Sequence, residues 1–197
     1  QRNAELAVIN SIQQGMAAAL DFQAIVDVVG DKLREVFATG DLSIRWWDEG
    51  TRLDTRLYCY EHGVRLNIPP RVVEPDGLVA RFYRERKVWL INSRAEQAAL
   101  GMTATPGTDQ ARCVVSVPML AGERTFGMVT LENHERDSAF GPAEVRLLST
   151  ITASMAVALQ NARSFEAERQ RAAELAIVNS VQAGLASKLD MQAIYDL

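Results

Sequence analysis

The chain has 197 residues, 48% hydrophobic and 23% charged, with a formal net charge of −4 and two cysteines. That is the composition of a soluble globular chain long enough to bury a core. A basic nucleic-acid face and a disulfide framework are not expected, no signal-peptide pattern is expected at the first residues given, and no apolar run approaches the roughly 18–20 residues of a membrane span.

The first residues place Leu6, Ile9, Ile12, Met16 and Leu20 at helical spacing. Asp21 is the N-cap expected for a second helix, with Phe22, Ile25, Val29, Leu33 and Phe37 on one stripe and Thr39-Gly40-Asp41 as its stop. Period two then takes over. Residues 42–50 and 51–63 read as two strands and their turns, and 64–75 as a third, edge-like strand, since Pro69 and Pro70 cannot donate to a ladder. Asp76 is expected to cap a short helix over 77–86, and 87–92 to form a short strand. The cluster Arg81, Arg84, Arg86 and Lys87 reads as the solvated face of that helix. Residues 92–111 read as a long mobile loop with a helical turn, and 111–133 as a hairpin around Ala121-Gly122-Glu123-Arg124.

From Pro142 the pattern is helical to about Lys188, roughly 70 Å at 1.5 Å per residue. Its apolar residues recur every three or four positions, through Leu148, Met155, Leu159, Phe165, Leu175 and Val178 to Leu185 and Leu189. The stretch 163–171 is highly charged, so the stripe beyond it needs a partner outside the globular body. A second copy of the same helix is the simplest one, and a parallel homodimer held by the first and the long helix is expected.

The end of the chain repeats its beginning. Residues 170–197 match 1–28 at an offset of 169 (174 − 5, from Glu174 and Glu5), with 17 identities in 28 positions. The expected organisation is a first unit over 1–165, a linker helix over 142–189 and the opening of a second unit over 170–197, all within a larger multidomain protein. Cys59 and Cys113 read as buried free thiols of a cytoplasmic protein. His62 and His134 stand near turns with no second ligand at metal spacing, so no metal site is expected.

Three stretches carry a family resemblance. Residues 75–96 resemble a helix-then-strand segment ending in Ile91-Asn92. Residues 111–133 resemble a hairpin with Val117-Pro118 on one strand and Glu132-Asn133 closing the other. Residues 140–163 resemble an exit helix. In this order and spacing the chain resembles the GAF domain family over about residues 4–165. The resemblance implies an α/β (α+β) fold: an antiparallel sheet of five or six strands, long helices on one face, and a pocket under short helices and a lid loop on the other. It also implies a non-catalytic regulatory module that binds a small molecule and relays a signal through a dimeric helix to an output domain such as a histidine kinase or nucleotide cyclase. Dimerisation with a vestigial pocket is the alternative, and a thiol-based methionine sulfoxide reductase a more distant one. Of the signature of cyclic-nucleotide-binding members only Asn133 and Phe140 match.

Within that fold, strand parity puts Leu42, Ile44 and Trp46 toward the helices and Ser43, Arg45 and Trp47 toward the pocket. Tyr58 and Tyr60 share a face of the next strand. The resemblance adds Ser43, Tyr60, Glu61 and Thr130 as ligand-touching positions. Phe82 and Ser116 complete the candidate set. Arg45 is the candidate anchor for a small anionic ligand, with an ion pair to Asp54 or Glu61 as its alternative role. The cofactor, if any, is not named by the sequence.

Overall fold

The computed structural model describes residues 2–19, 21–37 and 40–195, and side chains between residues 6 and 182 within them. It divides into two units, 1–160 and 161–197. Leu20 and Thr39, and the side chains of Leu185 and Leu189, lie outside the described residues.

In the first unit, α1 (Arg2–Ala18) and α2 (Phe22–Phe37) are separated where the Asp21 carboxylate accepts the Ala24 amide at 2.8 Å, the expected N-cap. Ile12 and Met16 of α1 are buried and Leu6 is exposed, whereas α2 buries Ile25, Val26, Val29 and Leu33. The sheet contains β1 (Leu42–Asp48), β2 (Leu53–Glu61), β3 (Val64–Arg65), β4 (Arg71–Val72), β5 (Trp89–Ile91), β6 (Cys113–Ala121) and β7 (Arg124–Asn133). Every pairing is antiparallel, in the order β3-β2-β1-β7-β6-β5, with β4 also on β2. The single third strand expected over 64–75 is instead two short ones at opposite ends of β2, divided by the prolines that cannot extend a ladder.

One irregularity decides which side chains face which layer. Across β1 and β2 the register runs Leu42↔Tyr60, Ser43↔Cys59 and Ile44↔Tyr58, then jumps to Arg45↔Arg56. Leu57 is the extra residue of a bulge, and one extra residue exchanges the two faces of a strand. Beyond it Tyr58 and Tyr60 turn toward α2. Before it Asp54 and Arg56 turn toward the opposite face. Trp46 packs edge-on against Phe22 of α2, with ring centroids 5.1 Å apart, so β1 keeps its expected parity.

The other face carries α3 (Leu78–Glu85) and α4 (Arg94–Ala99). Asp76 does not cap α3. Gly77 holds the N-cap position, with no side-chain bond to it. Ser93 caps α4 by accepting the Glu96 amide at 3.2 Å. The hairpin turns where expected, with Gly122 at φ 55°. α5 (Pro142–Tyr195) begins as expected, with the Glu144 carboxylate reaching back to the Gly141 amide at 2.9 Å, and continues past Lys188. Leu148, Ile151, Met155 and Leu159 of α5 are fully buried in the first unit. In the second unit Phe165, Leu175, Val178 and Val181 are exposed.

At Gly30, α2 packs directly on a β2 side chain. A Cβ there would lie 2.5–2.7 Å from the Tyr58 ring, whose hydroxyl donates to Asp31 at 2.7 Å. Glycine to alanine usually stabilises a helix by about 1 kcal/mol. Here Gly30→Ala is expected to destabilise by roughly 1–3 kcal/mol, as an overpacked core does. Urea unfolding reads the sign directly, and a gain in stability would refute the close approach.

Candidate functional site

The side of the sheet away from α2 is polar at its centre. Ser43, Thr130 and Ser116 lie in register across β1, β7 and β6 and are all buried, with the Ser116 and Thr130 hydroxyls bonded at 3.0 Å. The Ser43 hydroxyl is buried without a hydrogen-bond partner among the described residues. A buried polar atom left unmade costs roughly 1–3 kcal/mol, which a ligand or water could recover.

Beside this row stand three guanidinium groups and one buried carboxylate. The Asp54 side chain is fully buried and is approached at 3.4 Å by both Arg45 and Arg71, while the Tyr83 hydroxyl donates to it at 3.1 Å. Burial and the nearby Asp54 charge push the Tyr83 hydroxyl well above its ordinary range. Arg45 is directly opposite Arg56, and like charges in that relation repel. The Arg56 side chain donates to the Thr105 hydroxyl at 2.7 Å. Burial, then repulsion from Arg45, pulls its pKa down to about 10. The Arg45 Nε is likewise buried and, among the described residues, without a hydrogen bond.

The segment after α4 closes over these groups. Gln97, buried in α4, donates to the Ala111 and Arg112 carbonyls at 3.0 and 3.1 Å and so ties the helix to the far end of the segment. Beneath it is a cavity of about 50 Å³ lined by Ser43, Arg56, Cys59, Glu61 and Glu132 together with Thr103, Thr105 and Thr108. A second cavity, about 270 Å³, is lined by Arg45, Arg71 and Val79 and shares Met102, Thr103 and Thr105 with the first. At roughly 10–15 Å³ per water, the inner cavity has room for only a few small atoms.

At one end of the inner cavity the sheet gathers a different set. Asp41 precedes β1, Glu61 ends β2, and Glu132 and His134 lie at the end of β7. His62 occupies a tight turn at φ 51°, its amide held by the Asp41 carboxylate. The two imidazole rings, far apart in sequence, stand 4.6 Å apart. The Glu132 carboxylate pushes His134 above the usual histidine range, against burial and with help from Asp41. Sequence spacing offered no such grouping, and antiparallel pairing creates it.

A family model for the GAF domain matches residues 19–160. The chain belongs to the GAF domain family. No curated protein matches the sequence significantly. Among solved structures, the GAF domain of an Acinetobacter phosphoenolpyruvate-protein phosphotransferase is similar over 82% of this chain and 96% of its own, with TM-score 0.64 and 14% identity. A methyl-accepting chemotaxis protein segment, residues 122 to 287, is similar over 79% and 99%, with TM-score 0.64 and 13% identity. The free methionine-R-sulfoxide reductase of Neisseria meningitidis, in complex with its substrate, is similar over 81% and 90%, with TM-score 0.60 and 14% identity. At such identities these likenesses establish the fold alone.

In this GAF domain the sequence-derived candidates separate into groups. Ser43 and Glu61 line the inner cavity and Arg45 the outer one. Ser116 and Thr130 lie on the same face, their hydroxyls bonded to each other. Trp47 stacks on Tyr83, with centroids 4.8 Å apart, and lines a separate cavity of about 400 Å³ under α3. Phe82 packs into the core with Tyr83 and Met128. Tyr58 is on the wrong side of the sheet for the pocket: it packs against α2, because the bulge at Leu57 reverses the parity assumed for β2. Tyr60 borders the inner cavity, but its ring carries the Arg34 guanidinium of α2 at 3.7 Å. Arg56, Arg71 and Glu132 were not legible as site residues, since the bulge, the short β4 and the β1–β7 pairing that bring them there leave no local signature. Asn133, a family-matching residue, accepts the Glu135 and Arg136 amides and shapes the turn after β7.

The Asp54 carboxylate is the neutralising group at the centre of the arginines. Asp54→Ala is expected to cost on the order of 3 kcal/mol, because Arg45 is then buried beside Arg56 without a counter-charge. Tyr83→Phe, which removes one hydrogen bond, is expected to cost about 1 kcal/mol. Chemical denaturation of both variants checks this, and a loss below that of Tyr83→Phe for Asp54→Ala would overturn the assignment.

Proposed function

We propose that this GAF domain is a non-catalytic sensory module that receives a small anion in the cavity beneath residues 102–111. The observation that carries the reading is the arginine cluster of the pocket face: Arg45 and Arg71 share the buried carboxylate of Asp54, and Arg56, opposite Arg45, is bonded to a lid hydroxyl. A carboxylate or phosphate oxygen near Arg56 would relieve the Arg45–Arg56 repulsion and give the buried Ser43 Oγ a partner. The bond from Arg56 to Thr105 links the charged floor to the lid, so occupancy would be felt by the covering segment. The chemotaxis-protein likeness supports a signalling context.

The thiols favour this reading over a reductase. Cys59 on β2 and Cys113 on β6 are both buried and free, with β1 and β7 between their strands. Three strand spacings amount to roughly 14 Å, beyond disulfide reach. Burial pushes both thiols up, away from the thiolate a nucleophile needs.

The output route proposed is a homodimer formed by α1 and α5. The same helical stripe that is buried at Leu148, Met155 and Leu159 is exposed at Phe165, Leu175 and Val178, and Leu6 of α1 is exposed too. The near-repeat of residues 1–28 in 170–197 supports a tandem arrangement, with α5 as the linker. Among the described residues no helix is long and apolar enough to cross a membrane.

Two measurements follow. In a thermal-shift series of acetate, small dicarboxylates and phosphate, at least one anion should raise Tm by several degrees. That corresponds to about 2.7 kcal/mol at a hundredfold excess over Kd. Arg56→Gln should abolish the shift, and its full retention would rule out Arg56 as the receiver. In sedimentation at micromolar concentration the chain should be a dimer, and Leu175→Asp with Val178→Asp should make it a monomer. A wild-type monomer would refute the dimer.

A further inference from the structure

The end of the sheet where β1 starts and β2 and β7 finish holds two imidazoles and four carboxylates: His62, His134, Asp41, Glu61, Asp109 and Glu132. His134 is the informative member. Its side chain is nine-tenths buried, at 10% exposure, and its Nε2 is closed to solvent and, among the described residues, makes no hydrogen bond. That nitrogen faces the Glu132 carboxylate at 3.8 Å and the Asp41 carboxylate at 3.9 Å. Both distances are too long for hydrogen bonds. They suit donors that share an ion, since bonds of about 2.1 Å to a common centre hold neighbouring donors about 3–4 Å apart. Glu61, itself buried, adds another donor: its carboxylate, that of Glu132 and the His134 nitrogen all lie within 4.8 Å of one another.

We propose that Glu61, Glu132 and His134 bind one divalent first-row transition-metal cation, with Asp41 in reach as a further oxygen donor. An imidazole nitrogen among carboxylates favours a metal such as zinc over magnesium or calcium, which prefer all-oxygen sites. The donors are held in place by the backbone. The Glu132 amide donates to the Asp41 carbonyl at 3.0 Å, and one Glu61 oxygen accepts the Asp109 amide at 3.0 Å, leaving the other to the ion. The neighbouring grouping of Glu61, His62 and Asp109 is not the site. Its imidazole already meets Asp109 at 3.1 Å, and both of those side chains are more than half exposed. Because Glu61 and Glu132 also line the inner cavity, the ion would sit at its wall. This inference uses none of the arginines and stands apart from the anion reading.

The test is calorimetric titration of the chelator-stripped full chain with zinc chloride, with magnesium chloride as comparison. One zinc ion per chain is expected, with magnesium bound at least about a hundredfold more weakly. His134→Gln and Glu132→Gln should each weaken zinc by about a hundredfold or more, and His62→Gln should leave it in place. In proton spectra of the wild type, substoichiometric zinc should shift the His134 ring signals before those of His62, a readout that needs no variant to fold. No zinc binding at millimolar concentration overturns the proposal. So does magnesium bound as tightly as zinc, binding retained in a folded His134→Gln protein, or a His62 ring that responds first.

Discussion

β1 lies between β2 and β7, and its pairing with β7 joins segments more than eighty residues apart in the chain. The polar row and the histidine–carboxylate end of the pocket face depend on that pairing. It aligns Ser43 with Thr130, and through β7 with Ser116 of β6. It also brings Asp41 to the backbone of Glu132, and so sets the end of β7 beside the turn that follows β2. The layer behind the sheet is held in turn by α2, which can approach only because Gly30 leaves room for the Tyr58 ring.

The pocket face separates charge along its length. Arginines surround Asp54 on one side, and Glu61, Glu132 and Asp41 gather with the histidines on the other. In a partly dry space such charges interact more strongly than in water, so each group must be matched by a neighbour or by something that enters. Asp54 offers one carboxylate to the arginines, and the lid adds a hydroxyl from Thr105. That imbalance, more than the shape of a small cavity, is what makes the face a receptor in the proposed reading.

α5 belongs to both units. In the first unit its stripe is part of the core, with Leu148, Met155 and Leu159 sealed from solvent. In the second unit the charged stretch around residues 163–171 and the exposed Phe165, Leu175 and Val178 give the helix a surface of its own. In the proposed reading this helix is the route by which a signal would leave the domain.

Local chemistry alone determined a good part of this protein. Period and punctuation mark α2, β1, the β6–β7 hairpin and the start of α5, because Asp21, Gly122 and Pro142 act on their own neighbours. The parity of β1 was legible for the same reason, and it placed Ser43 and Arg45 on the cavity side. The faces of β2 were not, since a bulge at Leu57 depends on how β1 lies against it and turns Tyr58 away from the pocket while admitting Arg56. Nor was the meeting of His62 with His134, which only the order β2-β1-β7 produces. The two copies of the repeated segment make the same distinction. In the first, Asp21 caps a new helix, which buries four apolar residues. In the second, the matching Leu189-Asp190 runs on within α5. The same aspartate caps a helix only where tertiary burial of that helix outweighs the hydrogen bonds of an unbroken one.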